Sequence, residues 1–95
     1  MRRITWSPAA LDDLQTGFRF ISSDSPRRAH EWLEQLFGQV ERLARFPWMG
    51  RQIPELRRKS RYRQVIVGDH RIFHEVRKKE VFIFRILHSR QMFED

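Results

Sequence analysis

The sequence contains no cysteine, which excludes a disulfide scaffold, thiolate catalysis and every cysteine-ligated zinc or iron–sulfur site. A reducing compartment fits that composition best. Long apolar runs are missing as well: the longest, Val81 to Leu87, is interrupted by Arg85 and falls far short of the ~20 residues a membrane helix needs. No charged-then-apolar leader opens the chain, so the expectation is a cytoplasmic protein with no membrane partner. Room for a second module is also lacking. Ninety-five residues make one domain, 1–95, with no internal repeat or low-complexity segment, and 40% apolar residues supply a core without metal or disulfide staples.

Negative charge is the next scarcity. Twelve acidic residues face 19 basic ones, a net charge of +7, and all the basic residues except Lys59, Lys78 and Lys79 are arginine. The imbalance is local: residues 1–50 carry a net +1 and residues 51–95 a net +6. The second half therefore suits an anionic partner, and phosphate backbones and acidic protein segments both match the planar fork of arginine.

Periodicity organises the rest. Arg3 to Trp6 reads as a short strand, and Ser7-Pro8 as an N-cap with proline at the first helical position. Leu11, Leu14, Phe18 and Ile21 then recur at helical spacing, with Asp12 and Asp13 expected in the first turn, where the helix dipole favours anions. Gly17 costs about 1 kcal/mol against alanine in mid-helix and suggests the close approach of another backbone. Ser22 to Ser25 reads as a break of about four residues. Ser25-Pro26 repeats the cap and opens a second helix whose apolar stripe includes Ala29, Trp32, Leu33, Leu36, Val40 and Leu43, ending at Phe46-Pro47. An antiparallel helical hairpin follows.

From Phe46 to Ser60 the pattern lapses into an ordered loop ending in Arg57, Arg58 and Lys59. Tyr62 to Val67, His70 to Arg77 and Val81 to Arg90 are then three strands of an antiparallel meander. On the middle strand His70, Ile72, His74 and Val76 share the face expected to meet the helices. Arg71, Phe73, Glu75 and Arg77 share a face expected to be charged and available. The order strand, helix, helix, three strands predicts an α+β fold with the hairpin packed on one face of a small antiparallel sheet that the first strand joins.

Four segments carry a family resemblance: ITWSPAALDDL (Ile4 to Leu14), LARFPWMGRQIPELR (Leu43 to Arg57), YRQVIVGDHRIFHEV (Tyr62 to Val76) and VFIFRILHSR (Val81 to Arg90). Taken in order, they resemble the RelE/ParE family, the toxin components of bacterial type II toxin–antitoxin modules, and the Ser-Pro-x-Ala and Phe-Pro-x-x-Gly-Arg elements look more like the ParE branch. His70 and His74 depart from the pattern, standing where tyrosine is frequent. The resemblance implies a small cationic toxin held inactive by a cognate antitoxin. A ParE-like member poisons DNA gyrase and cuts no nucleic acid itself; a RelE-like member cleaves ribosome-bound mRNA. A retained, inactive scaffold for the antitoxin is a third reading.

Each reading names residues. Cleavage of RNA by 2′-hydroxyl attack needs a proton acceptor, a cation at the phosphate and a donor to the leaving oxygen. Glu55 or a histidine would be the base, Arg71 the phosphate clamp, and His88 with Arg90 the acid and charge stabiliser, with no metal or other cofactor. A role for His88 as a hydrogen-bonded histidine at the core edge competes with this, as does an internal ion pair of Arg71 with a buried carboxylate, for which Glu75 on the same strand face is the candidate. His70 and His74 read as structural, and metal binding by that pair is not expected. Arg57, Arg58, Lys59, Arg61 and Arg63, with Arg71, are the candidates for binding a target or an antitoxin. Alternation is expected to put Arg61 and Arg63 on one side.

Overall fold

The computed structural model describes residues 1–56 and 60–93. Strand β1 (Arg3–Trp6) leads into helices α1 (Pro8–Asp24) and α2 (Pro26–Arg45). These are followed by β2 (Arg51–Gln52), a single 3-10 turn (Pro54–Leu56), and strands β3 (Tyr62–Val67), β4 (His70–Val76) and β5 (Glu80–His88). The strands form one sheet in the order β1-β5-β4-β3-β2. The expected α+β architecture and meander are present, with two differences. The first strand runs parallel to β5, with Ile4 opposite Val81, and a fifth, two-residue strand pairs with β3 from within the segment expected to be loop.

Serine caps set both helix starts. Ser7 Oγ accepts from Ala10 N at 2.9 Å and donates to Phe84 O at 2.9 Å, so the cap of α1 is also a stitch to β5. Ser25 closes α1 by donating its amide to Ile21 O and opens α2 by accepting from Arg28 N, so the break shrinks to one residue. Asp13 lies beyond the first turn. Instead of complementing the dipole it accepts from Ile86 N at 2.8 Å and from Arg85 Nε at 2.7 Å, carrying on the edge of β5 where β1 has stopped. Gly17 does make room, but for a side chain: a Cβ there would sit 2.7 Å from the Trp32 ring.

The helices cover one face of the sheet. Leu36 and Leu43 of α2, both fully buried, meet Ile72, Val81 and Ile83, with Trp32 and Ala10 alongside. Each buried leucine, isoleucine or valine here contributes about 1.5–3 kcal/mol by leaving water. The opposite face, expected to be open, carries a second core of Ile53, Phe73 and Leu87, flanked by Leu56, Tyr62, Phe84 and Phe93. Chain segments from both ends of the second half cover it: the 46–60 connection supplies Ile53 and Leu56, and the tail beyond β5 supplies Phe93. Gly50 lets the connection hug the sheet. Its φ is +90°, and a Cβ would lie 2.3 Å from Gln64 O, so glycine is required on both counts.

Candidate functional site

Arg71 projects from β4 onto this second face and is held from three directions. Its Nη2 and Nη1 grip Glu55 Oε1 and Oε2 at 2.7 and 3.0 Å, Nε donates to Gln64 Oε1 at 3.0 Å, and Nη1 also donates to Gln91 O at 3.0 Å. The guanidinium lies 4.6 Å from the centre of the Phe73 ring. Both partners of the ion pair are nearly out of solvent, with side chains 9% and 11% exposed. The 3-10 turn at Pro54–Leu56 aims Glu55 at the sheet, and the same carboxylate accepts from Phe93 N at 3.0 Å. Hydrogen bonds from Arg71, opposed by burial and assisted by the Phe93 amide, hold the Glu55 carboxyl at about 2. Such a group is a poor proton acceptor at neutral pH.

His88 lies on the other side of the sheet. It is the register partner of His70, whose ring is 4.8 Å from that of Trp32 on the helix side, and the two imidazoles stand 5.4 Å apart, edge to face. Residues that alternate along a strand point to opposite faces, so His70 and Arg71, and with them His88 and Arg71, face away from each other. His88 Nδ1 accepts from Arg90 N at 3.2 Å. With Asp13, Phe20 and Gln91, these residues line an open cleft of about 500 Å³ between α1 and the end of β5. Burial, followed by the neighbouring His88, pushes His70 below the ordinary histidine range. Burial does the same to His74, which is fully enclosed and donates Nε2–H to Pro47 O at 2.9 Å. The structure therefore brings together two pairs, Glu55 with Arg71 on one face and His88 with Arg90 toward the other, with Gln91 between them: its carbonyl accepts from Arg71 and its Oε1 from His88 N.

The arginine run divides as well. Arg57, Arg58 and Lys59 lie outside the described residues. Arg61 precedes β3 and bends to Glu75 at 3.0 Å, whereas Arg63, within β3, lies 5.3 Å from the centre of the Trp48 ring and donates to Trp48 O and Ser60 O. The expected common side is thus not kept, because Arg61 stands outside the alternating strand and a carboxylate draws it away. Arg77 is shared between Glu75 and Glu80, and Arg85 belongs to Asp13; Glu75, the carboxylate expected for Arg71, is thus taken by Arg61 and Arg77, and Arg71 turns to Glu55 instead. Much of the positive charge of the ribbon is consequently neutralised within the chain. Trp48 and Phe46 remain exposed beside Arg63.

Gln64 and Gln91 carry no signal in the sequence. A glutamine 1% exposed in the middle of β3 is intelligible only once Arg71 is seen beside it, seven residues away in sequence. Among the described residues no group of three or more His, Asp or Glu side chains is arranged to hold a metal ion, and no helix is long and apolar enough to cross a membrane.

Comparison with known proteins bears on the same segments. A family model described as the ParE toxin of type II toxin-antitoxin system, parDE, matches residues 4–93. Among solved structures, a chain of one titled "Chromosomal ParDE TA system from P. aeruginosa" superposes with a TM-score of 0.70 at 20% sequence identity, covering 93% of this chain and 96% of that one. At that identity the likeness speaks for the fold. No curated protein sequence matches.

Proposed function

The chain belongs to the ParE toxin family of type II toxin–antitoxin systems, and from that premise we propose that it binds and inhibits DNA gyrase in the cytoplasm and is neutralised by a cognate antitoxin. The observation that carries the choice of a binding mode over cleavage is the division of the nuclease set by the sheet. Arg71 and Glu55 are closed on each other on one face, while His88 and Arg90 line a cleft on the opposite face. The Arg71 guanidinium, already engaged by Glu55, Gln64 and the Gln91 carbonyl, points away from the face that carries His88, and Glu55, held at about 2, is a weak base for a 2′-hydroxyl.

Binding asks for less. It needs an exposed surface with cations and aromatic anchors, and we assign to the target or the antitoxin the exposed Phe46 and Trp48 with Arg61 and Arg63, and from the sequence alone Arg57, Arg58 and Lys59 between them. Arg71 serves it from beneath by fixing the connection to the sheet through Glu55.

The test is to add purified protein, with and without its antitoxin, to gyrase and relaxed plasmid, and in parallel to translating ribosomes. The expected result is loss of supercoiling or trapped gyrase–DNA cleavage complexes, reversed by antitoxin, with intact mRNA. Codon-phased mRNA cuts with unaffected gyrase would replace this reading with the nuclease.

A further inference from the structure

A second basic feature lies around the β4–β5 turn, at the same end of the strands as Arg61, whose carbonyl accepts from Val76 N at 2.9 Å. Three chain segments meet there. Arg2 N donates to Ala44 O at 3.0 Å, using a carbonyl left free at the end of α2. Arg3 N donates to Lys79 O at 3.1 Å, and Arg2 Nε donates to Arg77 O at 2.9 Å. These bonds bind the start of the chain, the last turn of α2 and the β4–β5 turn into a fixed platform. The open cleft between them, about 760 Å³, is lined by Met1, Arg2, Ala44, Arg45, Lys78 and Lys79.

Four of those six residues are cations, and among the described residues none of the four is ion-paired with a carboxylate. That sets the cleft apart from the ribbon, where Arg61, Arg71, Arg77 and Arg85 are all paired. The nearest acidic neighbour in the turn, Glu80, is already engaged by Arg77 at 2.8 Å. Arg45 gains a little from the negative end of the α2 dipole, but a half-unit of charge does not offset four whole ones. Holding four like charges on a platform fixed by backbone hydrogen bonds is unfavourable unless an anion is brought to it.

We propose that this cleft is a docking site for the phosphate backbone of duplex nucleic acid. Its lining decides between candidate anions. An acidic peptide segment is anchored by apolar and aromatic side chains in addition to charge, and here Ala44 and Met1 are the only apolar residues. Single-stranded nucleic acid binds through bases stacked on aromatic rings, and the lining contains no aromatic residue. A duplex offers its partner a row of phosphates, and arginine and lysine on a rigid frame are what that row requires. The site reads no sequence and is independent of the action on gyrase.

The experiment is a fluorescence-anisotropy titration of the full-length protein with a labelled 20-base-pair duplex over a series of salt concentrations, in the absence of gyrase. Lys78→Gln/Lys79→Gln, in an exposed turn, and Arg45→Gln separately, are expected to weaken binding at least tenfold together and severalfold singly. The salt slope should fall by about 0.9 for each phosphate that the variant no longer neutralises. Arg27→Gln/Arg28→Gln, which removes the same charge from the far end of α2, should leave affinity within twofold. The proposal is overturned if the Arg27/Arg28 variant loses as much as the cleft variants, since net charge alone would then be responsible. Unchanged binding in the cleft variants overturns it too, as does displacement of the duplex by poly-glutamate of equal charge at equal concentration, which would make the ligand an acidic peptide.

Discussion

The two faces of the sheet are built on opposite principles. Under the helices, burial is apolar and redundant: Leu36, Leu43, Ile72, Val81 and Ile83 are all fully enclosed, and truncating one leaves the others packed together. On the far face three buried apolar residues are ringed by segments that have no helix to hold them. What fastens these segments is one carboxylate. Glu55 receives Arg71 from β4 and the amide of Phe93 from the tail, and Arg71 in turn donates to the carbonyl of Gln91. The lesson is that a strand can offer an arginine to its second face without making that face a surface for ligands. The guanidinium there organises two otherwise loose pieces of chain.

Substitutions on each face put this contrast to the test. Leu36→Ala should cost the most, about 4 kcal/mol by urea denaturation, through loss of buried surface and the cavity left behind. Amide exchange should quicken throughout the sheet, because the main core is a single cooperative unit. Arg71→Met should cost about 3 kcal/mol, chiefly by leaving the Glu55 carboxylate nearly buried without its partner. Its signature should be local: exchange at Phe93 and in the 50–56 segment should accelerate more than in α2. A uniform response would make the second face part of the main core.

Acid should separate the faces as well. Glu55 titrates at about 2 in the folded chain against 4.5 in its absence, so the unfolded chain binds the extra proton first as pH falls. Its contribution is complete above pH 4.5 and is lost as the pH drops through about 2. His70 and His74 are held below 6.5 by burial, which has the same sign, so their contribution begins to fade once the pH falls below 6.5. For His74 the physical cause is plain: Nε2–H is committed to Pro47 O, and Nδ1 is buried with no partner among the described residues to receive a second proton's hydrogen bond. Urea midpoints from pH 7.5 to 2.5 should therefore fall in two stages, with Glu55→Gln flattening the lower stage only. The smallest effect belongs to the surface: Arg27→Ala, which breaks an exposed pair with Glu31, should change stability by under about 0.5 kcal/mol.

The helices and the meander were legible because their signals are local. Ser-Pro pairs marked both helix starts, and β-branched runs marked β3, β4 and β5 within a residue or two. The parallel pairing of β1 with β5 was not legible, since it joins residues some 77 positions apart and either edge of the sheet would bury Ile4 equally well. β2 was missed because two residues carry no periodicity; its pairing is enforced by Gly50 and Ile53 rather than by its own side chains. At the candidate site, Arg71 is recognisable in the sequence as a guanidinium needing either solvent or a carboxylate. Glu55 stands out too, but as a base. Their union depends on the fold of a 15-residue connection, which sequence pattern does not determine.

The central claim is that Arg71 and Glu55 form a clamp rather than a working pair, and a double-mutant cycle combined with a gyrase assay tests this most directly. Stability and gyrase inhibition would be measured for Arg71→Met, Glu55→Met and the double variant. The clamp predicts a coupling of about 2–3 kcal/mol and a folded double variant that still inhibits gyrase. Coupling below about 0.5 kcal/mol, together with abolished inhibition in fully folded single variants, would contradict it and make the second face the working surface of the toxin.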